Sequence, residues 1–305
     1  LAGMEASTLH RLLGGRPGLS PFGRDEEEPL PFDAVLVDEA SMVPLHLLHA
    51  LARALSGDAR LILLGDRDQL ASVEAGAVLG DICGPGRRRL YSAAAAKRIA
   101  EASGETVPTL PAGQGPSPVG DGIVELTRNW RFGAESGIGR LARAVREGSP
   151  GEALSILRAG GLGDLGFRAV PGARDLAGAL VEPVLAGYGD YLGGSGPEEA
   201  FERFNRFRIL CALREGPFSV EALNEAVAAI LARAGRLRPG RPWYEGRPVM
   251  VTRNDYGLRL FNGDVGIALA DPDADGALRV FFPSPDGTMR KFEPYRLPEH
   301  ETVFA

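Results

Sequence analysis

Residues 32–41 read FDAVLVDEAS, an apolar run of strand length that ends in two adjacent acids, Asp38 and Glu39. A short apolar run between polar residues is typical of a buried strand in a parallel sheet. Both carboxylates would then stand at the carboxyl end of the strand, the edge where open α/β folds bind their ligands. A simpler explanation stays open for the pair alone, because two acids also suit the positive N-terminal end of a helix.

A helix and a second strand follow this run. Residues 60–64 form another apolar run, which Gly65 ends, and leucines recur at helical spacing within residues 44–55. Strand, helix and strand over about 30 residues predict a βαβ unit with a right-handed crossover. The polar run 65–70, GDRDQL, would then lie at the same sheet edge as the two acids. Two such clusters side by side are more specific than either one alone.

This arrangement suits the hydrolysis of a nucleotide. Asp38 would hold Mg²⁺ through water, with Glu39 beside it, because that ion keeps several of its own waters. Glu39 would act as the general base that polarises the attacking water. The amide of Gln69 would sense the γ-phosphate and pass its state to the following loop.

Composition excludes several other classes of protein. Hydrophobic residues make up 44% of the 305, which allows about two domains with a sizeable core. The sequence has no apolar run of about 18 residues and no basic, apolar leader, so we expect a cytoplasmic protein with no membrane partner. Cys83 and Cys211 form no metal motif and are expected to be reduced. The net charge of -6 does not exclude nucleic acid, because phosphate binding needs only a local basic stripe.

The basic residues show that no phosphate-binding loop lies within these 305 residues. Of the 34 basic residues only Lys97 and Lys291 are lysines, and neither belongs to a Gly-Lys-Ser or Gly-Lys-Thr sequence. A P-loop requires that lysine.

Beyond the βαβ unit, periodicity predicts further helices, followed by short β-type segments towards the end of the chain. Helices are expected at 92–99 (with Gly104 as the stop), 136–147, 175–192 and 220–234, and a buried strand at 208–213. Residues 105–122 are rich in proline and glycine and form the predicted linker and domain boundary. Short β-type runs that alternate with turn sequences predict a small antiparallel barrel. They lie at 248–252, 265–269, 278–282 and 289–292.

Taken in order, the motifs resemble the RecD family of superfamily-1B DNA helicases, the exodeoxyribonuclease V alpha subunits. Residues 38–41 are similar to the family's Walker B motif, 65–73 to motif III, 8–14 to motif Ib and 126–132 to motif IV. Further runs at 210–218, 243–250, 260–267 and 296–302 are RecD-like as well. The resemblance covers essentially the whole chain.

The resemblance implies roles for residues outside the sheet edge. Arg131 would stabilise transition-state charge at the γ-phosphate, and Trp130 would stack near the adenine of ATP. Without the motif, the simplest roles are a surface ion pair for Arg131 and a core aromatic for Trp130. The implied DNA contacts are Thr8, His10, Ser72, Val73, Arg253, Asn254 and Asn262. For His10 the alternative is an exposed or packed residue, and for Asn262 a tight turn.

The resemblance also implies an α/β fold of two incomplete RecA-like domains of the P-loop NTPase type, with a small SH3-like β-barrel near the C-terminus. The first domain, 1A, would span 1–119, with a small insertion, 1B, at 16–31. The second, 2A, would span 120–246 and return at 300–305 after the barrel, 2B, at 247–299.

The implied activity is ATP-dependent unwinding of DNA in the 5′ to 3′ direction on single-stranded DNA, in double-strand break repair and recombination. The implied partners are a helicase–nuclease subunit and a third subunit. The sequence holds no nuclease constellation of clustered acids with a lysine, so exonuclease activity would belong to a partner.

The family's Walker A loop should precede Leu1, and its motif VI should follow Ala305. We therefore expect this chain alone to bind ATP weakly and not to unwind DNA, and we expect open sheet edges to favour association. Two other functions stay open. One is a non-catalytic, helicase-like scaffold or DNA-binding subunit, and the other is an ATPase that does not act on nucleic acid.

Overall fold

The structure is a computed structural model of the chain. It describes residues 6–14, 22–69, 78–84, 89–115, 119–126, 130–133, 135–240, 242–284 and 286–305. The chain divides into two compact units, Leu1–Phe167 and Arg168–Ala305. This division lies apart from the boundary predicted at 119–120, so the domain bounds inferred from the sequence remain a prediction. Within the described ranges, no helix has the length and apolar character needed to cross a membrane.

The first unit holds two of the described strands and most of the described helices, whereas the other five described strands lie in the second. The described helices are α1 (Leu9–Leu12), α2 (Leu45–Ala54), α3 (Val78–Cys83), α4 (Ala93–Ser103), α5 (Gly137–Arg146), α6 (Pro150–Ala159), α7 (Leu176–Tyr188), α8 (Pro197–Phe204) and α9 (Val220–Arg233). The described strands are β1 (Ala34–Val37), β2 (Arg60–Leu63), β3 (Pro248–Val251), β4 (Val265–Asp271), β5 (Ala277–Pro283), β6 (Met289–Phe292) and β7 (His300–Thr302). The α/β class predicted from the sequence is confirmed.

The predicted βαβ unit forms β1, α2 and β2. The two strands pair in parallel, with Ala34 opposite Arg60 and Val37 opposite Leu63. One face of β1 is buried, because Val35 and Val37 pack with residues of α2 and with Leu13. The other face is exposed in the described part of the chain, where Leu36 is 38% and Ile62 43% accessible. The strand predicted here is thus confirmed as parallel, and among the described residues it is buried on one face only.

Helix α4 has the ends that its sequence predicts. The Ser92 hydroxyl accepts the N–H of Ala95, and Gly104 ends the helix in the left-handed region at φ 75°. Within the stretch predicted as a linker, Asp121 accepts both the N–H and the hydroxyl of Ser92, at 2.9 and 2.5 Å. The linker residues that the structure describes are thus mostly exposed but tied back to the start of α4.

Aromatic residues form the core of the second unit. Tyr188 of α7 stacks on Phe204 of α8 with ring centroids 5.2 Å apart, and its hydroxyl donates to the carbonyl of Phe304 at 2.7 Å. Burial raises the pKa of the Tyr188 phenol. Asn224 of α9 fixes the last residues of the chain, because its Oδ1 accepts the N–H groups of Phe304 and Ala305 at 2.7 and 2.9 Å.

The described strands of the second unit form one antiparallel sheet in the order β6-β5-β4-β3-β7. Successive residues of β4 face opposite sides, as strand geometry requires. Ile267 packs with the aromatic core and Ala268 with a second cluster around Val249, Leu260 and Phe282. Strands β6 and β7 are the edges, and the described residues show no pairing between them, so a closed barrel is not confirmed.

The buried strand predicted at 208–213 is wrong. The segment has no regular secondary structure apart from an isolated bridge between Leu213 and Ser219, and Leu210 is 88% exposed. An apolar run becomes a strand only where a neighbouring strand accepts and donates its backbone hydrogen bonds. No described strand lies along this segment to do so.

Candidate functional site

The two acids stand where the sequence predicts them, at the carboxyl end of β1. Glu39 adopts the left-handed conformation, with φ 51° and ψ 40°, and begins a 3₁₀ turn at Ala40–Met42. A non-glycine residue in this region is uncommon and is often found at functional turns. Both carboxylates are exposed, and Oδ1 of Asp38 accepts the N–H of Glu39 at 3.0 Å. The sharp turn thus presents the two acids at the open edge of the sheet.

Gly65 brings the end of β2 against this turn. The N–H of Ala40 donates to the carbonyl of Leu64 at 2.8 Å. A Cβ at Gly65 would lie 2.7 Å from the Leu79 side chain and 3.0 Å from the N of Ser41. Only glycine therefore allows the two strand ends to approach so closely.

Ser41 connects the two polar clusters directly. Its hydroxyl, in a residue that is 7% exposed, donates to Oε1 of Gln69 at 3.0 Å. The side-chain amide of Gln69 then has its NH₂ group left as a donor, with no partner among the described residues. An amide donor of this kind can bond to a phosphate oxygen. That Gln69 senses the γ-phosphate remains a prediction.

The fit of Mg²⁺ to this edge rests on the kind of donor present. In the described part of the chain no group of three or more His, Cys, Asp or Glu side chains could enclose a metal ion. Mg²⁺ does not need such a cage, because it keeps several waters and takes one or two carboxylates together with the phosphates of its substrate. The exposed carboxylate of Asp38, with Glu39 next to it, suits that mode of binding.

Two ion pairs hold the loop after β2. The Arg67 guanidinium, in a side chain that is 16% exposed, donates to Glu125 at 3.1 Å. Asp68 lies 3.9 Å from Arg146 at the end of α5. Glu125 lies just before residues 126–132, the run that resembles motif IV, and Arg146 lies after them. The loop that carries Gln69 is thus bound to the segment that carries Arg131.

Trp130 and Arg131 lie in a loop just before α5, and both are exposed, Trp130 by 79%. The interpretation of Trp130 as a core aromatic is therefore wrong. This loop sits close to the helix at Gly139, where a Cβ would lie 3.3 Å from both the Gly133 carbonyl and Cβ of Phe132. Stacking on adenine and contact with a phosphate remain predictions.

The start of α5 is held by a residue from beyond α6. Asp164 accepts the Ser136 hydroxyl at 2.5 Å and the N–H of Gly137 at 2.9 Å. These bonds, led by that of the Ser136 hydroxyl, hold the pKa of Asp164 below its ordinary value. Gly137 is needed there, because a Cβ would lie 2.8 Å from the Asp164 carboxylate. The residues after Arg131 are thereby fixed in place.

The predicted DNA contacts of the first unit are only partly described. Thr8 caps α1, since its hydroxyl accepts the N–H of Arg11 at 3.4 Å. His10 is exposed on that helix, with its ring 6.0 Å from that of Phe22. Ser72 and Val73 lie outside the described residues. That these four residues contact DNA remains a prediction.

The predicted DNA contacts of the second unit come together. Oδ1 of Asn254 accepts the N–H of Asn262 at 2.7 Å, and Arg253 is exposed beside them. The turn proposed at Asn262 is confirmed, because the N–H of Asp264 donates to the carbonyl of Phe261 and Gly263 has φ 94°. A turn and a DNA contact are compatible, and the second stays a prediction.

Sequence reasoning missed several contributors to this site. Ser41 stands within the quoted motif, but nothing in the sequence indicates that its hydroxyl bonds to Gln69. The pairing of Arg67 with Glu125 spans 58 residues, and Asp164 caps a helix that begins 27 residues earlier. Such contacts depend on tertiary packing and leave no periodic signal.

Comparison with known proteins gives matches over almost the whole chain. A family profile described as an AAA domain matches residues 1–75. The chain is 40% identical to the RecBCD enzyme subunit RecD of Mycobacterium tuberculosis, over 89% of this chain and 42% of that protein. It is 36% identical to the RecBCD enzyme subunit RecD of Mycolicibacterium smegmatis, over 100% of this chain and 48% of that protein. An ATP-dependent RecD2 DNA helicase of Deinococcus radiodurans is 28% identical, over 91% of this chain and 30% of that protein.

The chain thus spans a little under half the length of these two RecD relatives. The matched stretch includes the acids after β1, the loop after β2 and the antiparallel sheet. With identities of this level across nearly its whole length, the chain is of the RecD type, within superfamily 1 of the helicases.

Proposed function

We propose that this chain forms the interior of the motor of an ATP-dependent DNA helicase subunit in a RecBCD-type exodeoxyribonuclease V complex. The observation that carries the proposal is the sheet edge, where Glu39, Asp38 and the bonded pair Ser41–Gln69 lie on adjacent strand ends. Sequence identity to RecD proteins over nearly the whole chain supports the same conclusion.

In this proposal each side chain at the edge has a separate task. Bound ATP with Mg²⁺ supplies the phosphoryl group that is transferred to water. Asp38 would hold the ion, Glu39 would take the proton of the attacking water, and the Gln69 amide would donate to a γ-phosphate oxygen. Arg131 stabilises the charge that develops during transfer. Trp130 stacks near the adenine, which its exposure permits.

The DNA side of the proposal uses residues of both units. Movement is 5′ to 3′ along single-stranded DNA. The contacts proposed are Thr8, His10, Ser72, Val73, Arg253, Asn254 and Asn262. The partners proposed are a helicase–nuclease subunit and a third subunit, with a role in double-strand break repair and recombination.

The finer architecture belongs to the same proposal. Residues 1–119 and 120–246 are two RecA-like domains, residues 16–31 an insertion in the first, and 247–299 an SH3-like barrel inserted in the second. Two observations support it: the parallel βαβ unit lies in the first unit, and the antiparallel strands are confined to residues after Arg247.

The test is ATP hydrolysis by the full-length gene product that contains this sequence, with and without single-stranded DNA, for the native protein and Glu39→Gln. We expect strong stimulation by DNA in the native protein. The variant should lose at least about 100-fold in kcat, because a general base contributes roughly 10² to 10⁴ in rate. Binding of a fluorescent ATP analogue should persist.

Glu28→Gln is the matched control, since Glu28 is an exposed acid of the same unit that lies away from the sheet edge. It should hydrolyse ATP like the native protein. No hydrolysis by the native protein would favour a scaffold that only binds DNA or partners. Hydrolysis that DNA does not stimulate would favour an ATPase with another substrate.

A further inference from the structure

Residues 253–264 form a small hairpin that no motif assigns as a whole. Asp255 and Leu260 exchange both backbone hydrogen bonds, at 2.7 and 3.0 Å, across the loop 256–259. Leu260 is fully buried in the core of the antiparallel sheet. From β6, the guanidinium of Arg290 donates to the carbonyls of Leu258 and Arg259. Leu260 and Arg290 therefore hold the hairpin firmly against the antiparallel sheet.

Two aromatic rings lie on the outer side of this hairpin. Tyr256 is 50% and Phe261 42% exposed, and their centroids are 5.8 Å apart at an angle of 69°. The amide of Asn254 lies 3.5 Å from the Tyr256 hydroxyl while its oxygen accepts the N–H of Asn262. Half-exposed rings on a rigid backbone lose little freedom when they bind a planar ligand.

The charges around the rings favour an anionic chain. Arg253 and Arg259 are exposed, and no ion pair joins either guanidinium to a carboxylate among the described residues. The carboxylates of the hairpin are engaged by its own backbone, Asp255 with the N–H of Leu258 and Asp264 with that of Phe261. Arg259 also has φ 53°, a conformation that costs free energy outside glycine. The cationic groups are thus the ones left for a ligand.

We propose that Tyr256 and Phe261 stack on successive bases of single-stranded DNA, while Arg253 and Arg259 lie along its phosphates. The inference rests on the proposed function and adds to it the mode of base contact at this surface. Single-stranded DNA is the occupant because its bases are unpaired, so that their faces are open to aromatic rings, and its phosphates suit the exposed guanidiniums of Arg253 and Arg259. A duplex offers no open base faces to such rings.

The proposal explains why the predicted polar contacts sit where they do. The side chain of Asn254 accepts the backbone N–H of Asn262 and donates to the Tyr256 hydroxyl, so it shapes the hairpin from which the rings project. In this arrangement the asparagines position the aromatic pair. Discrimination between bases is weak, because every base has a face on which a ring can stack.

The experiment measures binding of a fluorescein-labelled oligothymidylate of about 15 nucleotides, a length that fits known single-strand sites. The proteins are the 305-residue chain, Tyr256→Ala and Phe261→Ala. A second ligand is an abasic strand of the same length, which keeps the phosphates and lacks the bases. Each alanine variant should lose between about 5-fold and about 150-fold in affinity for the oligothymidylate. On the abasic strand both should equal the native chain.

Two further variants control for folding and for general effects of removing a tyrosine. Tyr256→Phe keeps the ring and should bind the oligothymidylate like the native chain. Tyr295→Ala removes a tyrosine of the same unit that is 83% exposed and lies outside residues 253–264, and it should change neither affinity. Circular dichroism and a thermal melt establish that each variant is folded.

The outcomes separate the inference from the function on which it rests. Native binding of DNA together with unchanged affinity in both alanine variants would overturn stacking and leave the helicase proposal intact. Equal losses on the abasic strand would also overturn it, because the rings would then act without bases. If the native chain binds no single-stranded DNA at low salt, the inference fails together with the DNA contacts proposed for this chain.

Discussion

At the residue scale, the close approach of two strand ends determines the geometry of the sheet edge. Glu39 takes a left-handed conformation, and Ser41 turns inward to bond with Gln69 at 3.0 Å. The bond is possible only because the end of β2 lies against the turn, where Gly65 leaves no side chain between them. Glu39 and the amide of Gln69, the acid and the donor proposed to act on a nucleotide, are thereby held on adjacent strand ends.

Gly65→Ala should lower the free energy of unfolding by about 1–3 kcal/mol, the usual cost of forcing an added methyl into a packed site. The new Cβ would meet Cδ2 of Leu79 at 2.7 Å and backbone atoms at 3.0 and 3.2 Å, and backbone cannot move aside cheaply. Urea denaturation of the chain measures the change.

Gly57→Ala is the matched control, because a Cβ there meets nothing within 4 Å and Gly57 lies in the same βαβ unit. It should be close to neutral. Equal stability of the two variants would show that the strand ends do not need their close approach.

At this scale the sequence predicts which chemical groups lie at the sheet edge, but it does not predict which distant side chains contact each other. The acids after the apolar run and the glutamine after the next strand could be placed at one edge, because parallel strands carry their carboxyl ends to the same side. The ion pair of Arg67 with Glu125 could not, because its partners are 58 residues apart and the chain offers many other charged residues.

Helix α5 shows how an element depends on a distant residue. Its own sequence supplies Ser136 as the N-cap, yet Asp164 bonds to Ser136 and to the first N–H groups of the helix. The cap fixes the helix that directly follows the loop of Trp130 and Arg131. The ionisation of the Asp164 carboxylate should therefore change the free energy of unfolding of the first unit.

Asp164→Asn should lower the melting temperature at neutral pH and reduce its dependence on acid. The Ser136 hydroxyl and backbone N–H groups lower the pKa of Asp164 in the folded chain. A lowered pKa means that the carboxylate stabilises the fold above about pH 4, the ordinary aspartate value, and that this contribution is lost as pH falls further. The gap between native chain and variant should thus be constant at neutral pH and shrink below about pH 4.

Thermal melts followed by circular dichroism between about pH 7 and about pH 3 measure this gap. Asp58→Asn, which changes an exposed aspartate of the same unit, should follow the native chain throughout. A gap that stays constant down to the lowest pH would refute a role for the Asp164 charge.

Elements with local signals could be predicted from the sequence, and those that need a partner could not. Helix α4 begins after Ser92 and ends at Gly104 because both residues act on their own backbone. The apolar run 208–213 has strand composition but no described neighbour to pair with. Strand β7 was missed for the opposite reason, since its three residues are polar and become a strand only beside β3.

At the scale of the whole molecule, the first unit joins two motifs that are far apart in sequence. Arg67 and Asp68 follow β2, and their partners Glu125 and Arg146 stand on either side of the motif IV run. A change at the nucleotide edge would therefore reach the Arg131 segment through these pairs. The strength of the Arg67–Glu125 link decides whether this connection is rigid.

A double-mutant cycle measures that strength as a coupling free energy. With Arg67→Ala, Glu125→Ala and the double variant, we expect a coupling of about 1 kcal/mol or more in the free energy of unfolding, because Arg67 is largely shielded from water. The same cycle on Lys97 and Glu101, an exposed pair one helical turn apart, should give only about 0.3–0.5 kcal/mol. In the full-length gene product, Arg67→Ala should also weaken the stimulation of ATP hydrolysis by DNA, whereas Lys97→Ala should not. Equal couplings in the two cycles would show that the Arg67–Glu125 pair is no stronger than an exposed surface pair and does not make the connection rigid.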